Sequence, residues 1–589
     1  MKIRLGIIVG IFMAFLSLYP QFYFQIKRGE SYNGATFHYD FDESAYASYL
    51  QALIDGRPRK NSIYQGSAEP QTYETLFSIQ FISSYLTAIP ARVLGIDADK
   101  TFLIISVLFA FLASLAVFSL LLKITENEKL AAVGTLFILL FGANAAGASI
   151  LKETLGFGAS AFYLTFLRRF TPAVAFPFIF VLINCVWLGL KTTEPKRKYL
   201  YALIASLCFA GLVFGYFFFW TAILVWIGCL FGLHFLIQKE NRNWSFWLVF
   251  FAGILFSLIP YFWLLSERNP STDASQVMEY TRKIVLLRPT LIVGLFVLLI
   301  TAISVKLKWL EIKNQTTILI ISLAILPLLV FNQQIITGRS LQPMHYNMYI
   351  LNYLVLLALV LLIGQLFKEK LQKLNSTIWI ISALIFCVWG IIETNYTVKY
   401  RFGYNQQRDE AFLVNKRLAE IGKTNFEQAK TQITFNFDSI QSDNQPTIAP
   451  QGVLWADHLY LGGNLSDEEH QRRYFLFLYF QSRTPDQLRQ QLQFCPNEAC
   501  RALIGWRTNP TLSYNSSKIE SAEIDLVIEK YSNFIQNISV VEALNPQISY
   551  LIVPNNLIFD SANFDRWYQK EKSEQFGRFT LYYVKPIAR

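Results

Sequence analysis

Apolar stretches long enough to cross a bilayer recur from residue 5 to about residue 393 and then stop, dividing the chain into a membrane part and a polar tail. With 53% hydrophobic and 16% charged residues over 589 positions, the composition lies outside that of an ordinary soluble domain. The first run follows Lys2 and Arg4 and so begins like a signal peptide. It ends in Ser17-Leu18-Tyr19-Pro20-Gln21, without a small-x-small cleavage site, and reads as an uncleaved first span.

Hydropathy places about eleven spans, at roughly 5–25, 101–123, 129–148, 172–190, 199–215, 217–237, 244–265, 286–305, 316–331, 347–367 and 376–393. The segment 74–96 is also apolar, but Ser83, Ser84, Pro90 and Arg92 suit a helix lying at the interface. Spans 199–215 and 217–237 share almost no loop, so either Gly211 and Gly215 mark a break or the two form one bent helix. Charge checks the parity. With the N-terminus inside, the cytoplasmic loops carry Lys123 and Lys129; Lys191, Lys196, Arg197 and Lys198; Lys239 and Arg242; Lys306, Lys308 and Lys313; and Lys368, Lys370 and Lys373. Successive basic loops on one side obey the positive-inside rule, and one miscounted helix would scatter them over both faces. The net charge of +11 is thus topology, and nucleic acid is not a partner. The fold class expected is an α-helical polytopic membrane protein with a soluble C-terminal α/β domain.

The corollary is that the loop 26–100, the loops near 149–171, 266–285 and 332–346, and the tail all face the exoplasmic side. Residues 1–398 form the membrane domain and 399–589 the exoplasmic domain, with the whole integral to the cytoplasmic (inner) membrane. The tail, about 190 residues, is large enough for its own core. Residues 408–421 read as an amphipathic helix, and Ser466 and Thr484 each open another by capping. Strands are expected at 548–553 and 579–584, with a helix near 563–572 between them. The tail shows no glycine-rich phosphate loop, nucleophile elbow or metal motif, and its plain reading is a lid over the membrane part. Cys185, Cys208, Cys229 and Cys387 lie in spans as packing residues. Cys495 and Cys500, close together in an exoplasmic tail, are expected to form a local disulfide.

The chemistry concentrates just past the first span, in His38-Tyr39-Asp40-Phe41-Asp42-Glu43-Ser44-Ala45-Tyr46. Acids at a bilayer surface are costly unless water, a partner or a substrate uses them. The plain alternative is a solvated loop whose Asp42 and Glu43 cap a helix over 44–53. The functional reading is a general base, since clustered carboxylates disfavour joint ionisation and one of them is readily perturbed.

A first span followed by a large exoplasmic loop opening with Asp-Glu-x-x-Tyr (Asp42, Glu43, Tyr46) resembles the GT-C glycosyltransferases, which include protein O-mannosyltransferases and aminoarabinose transferases. The continuation Tyr49-Leu50-x-x-Leu53-x-x-Gly56 is similar to the amphipathic helix after that motif. The resemblance spans residues 1–400 as architecture and about twenty residues as motif. It implies transfer from a polyprenyl-phosphate-linked sugar, Asp42 as base, support from Glu43 or Asp40, and Tyr46 near the substrate. The tail lacks the Trp-Trp-Asp signature of oligosaccharyltransferases. Some members of the superfamily need a divalent metal and others do not, so Asp40-x-Asp42 leaves Mg or Mn open and no cofactor is certain.

A phosphate donor needs cations on the same side. The second exoplasmic loop offers Lys152, Glu153, Arg168 and Arg169; the fourth offers Arg339 and, six residues on, His345. Arginine grips phosphate oxygens bidentately, and these arginines run against the positive-inside trend. Their alternatives are lipid head groups or pairing within the bundle, and Glu153, as a lone acid, has a structural alternative of its own. The third loop, with Arg268, Arg282, Lys283 and Arg288, is a weaker candidate.

The sequence therefore points to a membrane glycosyltransferase, with a lipid-linked donor, a glycan, lipid or protein acceptor, and membrane lipids as partners. A transporter or flippase is the alternative, against which stand the absence of an internal repeat and of a charge mid-span. A non-catalytic envelope-assembly protein is the third, and it requires the acids at 40–43 to tolerate neutral substitution.

Overall fold

The computed structural model describes residues 3–156, 164–167, 170–239, 242–269, 278–459, 465–508, 519–557 and 560–587. Ten described helices are long and apolar enough to cross a membrane, among them Arg4–Ser31, Ala98–Thr125, Thr171–Lys191 and Ser376–Glu410, and the chain is an integral membrane protein. The span expected at 199–215 is the helix Pro195–Val213, which lies outside those ten because its first turn carries Lys196, Arg197 and Lys198. The chain breaks at Phe214–Tyr216, around Gly215, before the helix Phe217–Ile237, so of the two readings the break is the one observed. Phe256, Ile259 and Trp263 stay exposed on their helix, as a lipid-facing surface requires.

The apolar segment 74–96 forms two helices, Leu76–Ile79 and Phe81–Leu94, hinged at Gln80. Leu86, Ile89, Val93 and Leu94 are exposed on the second, the side such a helix would lay on the interface.

The last membrane helix does not stop at 393. Ser376–Glu410 runs unbroken for 35 residues and passes through the expected border at 398/399. Beyond it lies a five-stranded sheet in the order Gly452–Val453, Ile433–Asn436, Ile548–Pro554, Phe579–Pro586, Tyr568–Phe576. Its first three strands are parallel, and Phe579–Pro586 runs antiparallel to both of its neighbours. The helix expected near 563–572 is short, Ala562–Asp565, because residues from Tyr568 onward pair with Phe579–Pro586 as an antiparallel ribbon. Ser466 and Thr484 accept hydrogen bonds from Glu469 N and Gln487 N and open the helices Asp467–Phe480 and Pro485–Gln493. Cys495 and Cys500 are disulfide-bonded.

The first loop is built into this domain. Val453 N donates to Tyr64 O at 2.8 Å, and Arg57 Nη2 to Pro450 O at 2.6 Å. On the other side Glu74, held bidentately by Arg59, sends its amide to Glu267 O at the end of a membrane helix. The loop is therefore a layer packed between membrane helices and tail sheet.

Candidate active site

The segment leading to the acids is threaded between the first and last membrane helices, and side chains satisfy its buried backbone. Phe37 N donates to Gln21 Oε1 at 2.6 Å, and Asn405 clamps His38 through both N–H and C=O, at 2.7 and 2.9 Å. Tyr39 N donates to Glu43 Oε2 at 3.1 Å. Glu43 is fully buried in the first turn of the helix Asp42–Ile54, where a carboxylate also suits the helix dipole. This turn leaves Asp40 and Asp42 partly exposed while Glu43 points inward.

Asp42 Oδ1 lies 3.3 Å from His458 Nε2, in the tail. The other ring nitrogen, Nδ1, lies 2.7 Å from Asp443 Oδ2, and His458 N donates to Asp443 Oδ1 at 3.0 Å. The Asp42 side chain is 40% exposed, whereas those of His458 and Asp443 are 3% and 8% exposed, so only the Asp42 end meets solvent. Burial pulls the His458 imidazole down, but Asp443, with Asp457 and Asp40 behind it, more than offsets that and raises its pKa above the ordinary value. The neighbouring Asp457 is raised by burial despite its two hydrogen bonds from Arg501, at 3.1 and 2.7 Å.

Beside this chain runs a second, closed network. Ser44 Oγ bonds Asn444 Oδ1 and Tyr404 OH, each at 2.8 Å, and Arg408 reaches Asn444 Oδ1, Thr36 O and His38 Nε2. Arg408 is thus engaged by the protein itself. Arg401, two helical turns earlier, places its guanidinium 4.6 Å over the Phe41 ring, between the two aspartates in sequence. Among the described residues no carboxylate forms a salt bridge with Arg401.

Tyr46 is buried, edge-on to Phe77 at 5.5 Å, and burial raises its phenol well above the usual range. Tyr216, Tyr349 and Asp40 all lie within its electrostatic reach. His345 stacks on Tyr349 at 5.4 Å and lies 4.4 Å from Phe218. Tyr216 is edge-on to Tyr349 at 6.4 Å, so His345 and Tyr216 share Tyr349 as a ring partner.

The other sequence candidates sit differently. Arg339 is exposed on the strand Arg339–Leu341, over the Tyr280 ring at 5.7 Å, and its described contacts are local to that hairpin. Glu153 is exposed on the short helix Ile150–Thr154. The amide of Ile150 donates to Glu393, a fully buried acid of the last membrane helix that hydropathy leaves at a span end. Arg168 and Arg169 lie outside the described residues. Among the described residues no cluster of three or more His, Cys, Asp or Glu is disposed to hold a metal.

His458, Asp443 and Arg401 are the site residues that sequence reasoning misses. No spacing links a residue at 42 to one at 458; the only hint is one of five histidines beside Asp457 in the tail.

No family model and no curated protein matches the chain. Among solved structures it is similar to ArnT from Cupriavidus metallidurans in the apo state, with 12% identity over 82% of this chain and 93% of that one and a TM-score of 0.45. The same protein bound to undecaprenyl phosphate gives 12% identity over 79% and 88%, with a TM-score of 0.42. The Archaeoglobus fulgidus oligosaccharyltransferase in the apo form gives 11% over 93% and 69%, with a TM-score of 0.40.

Proposed function

We propose that the chain is a GT-C-type glycosyltransferase that moves a sugar from a polyprenyl-phosphate carrier to a cell-envelope acceptor. The observation that carries this is Asp42, a partly exposed carboxylate steadied by a buried histidine at the seam of membrane helices, first loop and tail. In the proposed topology the N-terminus is cytoplasmic, and the seam opens on the outer face of the inner membrane, where a lipid carrier presents its head group.

The acceptor O–H or N–H is held against Asp42 and attacks the anomeric carbon from the face opposite the phosphate. The new glycosidic bond forms, the C–O bond to phosphate breaks, polyprenyl phosphate leaves with the electron pair, and Asp42 takes the proton. Inversion follows from this single displacement. A glycosyl transition state carries oxocarbenium character, so the acceptor proton becomes acidic late, and a carboxylate suffices if it is ionised and in place. Negative charge grows on the departing phosphate, and Arg401 beside Phe41 is the described cation best placed to meet it, with Arg168, Arg169 and Arg339 as further candidates. Tyr46 and His345, both buried, are the further candidates for contact with the sugar.

The test uses full-length protein in vesicles with undecaprenyl-phosphate-linked glucose, mannose and aminoarabinose, following release of undecaprenyl phosphate, alongside envelope glycans of a deletion strain. Donor turnover and a glycan restored by wild type but not by Asp42→Asn are expected. A deletion strain with unchanged glycans and no turnover of any donor would return the choice to transport or assembly.

A further inference from the structure

We infer that the C-terminal domain completes the active site, with His458 as a positioning residue: doubly protonated and clamped between Asp443 and Asp42, it fixes the orientation of Asp42 and keeps it charged. This rests on the reading of Asp42 as the base.

The proton count follows from geometry. Nδ1 faces a carboxylate at 2.7 Å, so a proton lies between them. Nε2 faces a second carboxylate at 3.3 Å, where two opposed lone pairs would repel, so a proton lies there too unless Asp42 itself carries it. An imidazolium donates to both sides at once, and the upward shift of the His458 pKa agrees. Asp443 holds the histidine with both of its oxygens, one taking the ring and the other the backbone amide of the same residue. Its own backbone carbonyl accepts from Tyr64 OH of the first loop at 3.1 Å. Its neighbour Asn444 accepts from Ser44, on the helix that Asp42 begins. The loop and the tail thus set the distance between the two carboxylates through several bonds on separate side chains.

The charges facing His458 come from each element around it. Asp40 and Asp42 belong to the first loop, Asp443 to the helix Ser439–Asn444, and Asp457 to its own segment, paired with Arg501 on the helix Glu498–Leu503. Tyr64 and, on the last membrane helix, Tyr404 lie near Asp443, and Arg408 lies beyond Asn444. Among the described residues the carboxylates around His458 outnumber the cations, so removing the imidazolium makes the surroundings of Asp42 more negative, and its proton affinity rises.

The measurement is the pH profile of initial transfer rate for wild type, His458→Gln and Asp443→Asn in vesicles, with whichever of the three undecaprenyl-phosphate-linked sugars wild type turns over, and melting temperatures recorded beside it. His458→Gln should lower kcat at least tenfold and move the acid limb up by about one pH unit, the size a nearby opposite charge gives. Asp443→Asn should move it the same way by less. A structural role alone would lower yield or melting temperature and leave the limb in place, and that result overturns the inference. Should His458→Gln fail to accumulate, Asp443→Asn decides on the same limb. Full activity in Asp42→Asn would remove the base reading and this one together. An inactive Asp42→Asn with unmoved limbs in the other two removes this inference alone.

Discussion

Gly452 of the tail approaches Gly66 of the first loop so closely that a Cβ on Gly452 would stand 2.3 Å from the Gly66 amide nitrogen. Backbone meets backbone there, so no side chain can turn aside. The contact sits one residue from the bond between Val453 and Tyr64, the place where the tail sheet grips the loop. Gly452→Ala should therefore cost about 1–3 kcal/mol, as overpacking does, and lower the melting temperature of the detergent-solubilised protein. An unchanged melting temperature would mean that the seam is looser than these distances say.

Glu43 and Asp42 are adjacent and acidic, yet one is fully buried and the other 40% exposed at its side chain. Glu43 Oε2 accepts the Tyr39 amide in a fully buried turn, which an amide oxygen can also do. Glu43→Gln should keep most activity, whereas Glu43→Ala should lose about 1–3 kcal/mol of stability by orphaning a buried N–H. Asp42→Asn should fold normally, since its side chain is 40% exposed, and lose about 100- to 10,000-fold in kcat, the range for a missing general base. Equal losses in Asp42→Asn and Glu43→Gln, measured at matched protein levels, would contradict this division.

What the sequence shows and hides follows from the range of each interaction. Spans are local, so apolar runs reveal them, and capping at Ser466 and Thr484 is equally local. The first-loop acids announce themselves because they follow a span at once. Tyr568–Phe576 misleads because its pairing partner, not its own pattern, makes it a strand. Asp42 and His458 lie 416 residues apart, and a lone histidine carries no motif that would join them. Arg401 is hidden for a different reason: it looks like an ordinary juxtamembrane arginine until the last helix continues beyond its apolar run and sets it on Phe41.

The buried histidine has a signature in stability. Its pKa is raised on folding, so its contribution is fully present below the unfolded value of about 6.5 and is lost as pH rises through the folded value. The melting temperature of wild type relative to His458→Gln should be highest near pH 6 and converge on the alkaline side. A gap that widens with pH would contradict the ion pairing with Asp443.

Glu498 makes the opposite experiment available in the same domain, away from Asp42. Burial first, then the charge of Asp457, push its carboxyl up to about 7 against the pull of Ser439, Arg501 and Tyr474. Because the folded value is raised, its contribution is fully present below the unfolded value of about 4.5 and is lost as pH climbs through 7. Above that the folded domain must hold an ionised carboxylate beside Asp457. Glu498→Gln removes the need at little change in shape, so it should raise the melting temperature at pH 8 and leave it nearly unchanged at pH 5. The side chain keeps some solvent contact, which reduces the expected gain to about 1–2 kcal/mol. An equal effect at both pH values would mean that the amide acts through packing and that the acid is not held near neutrality.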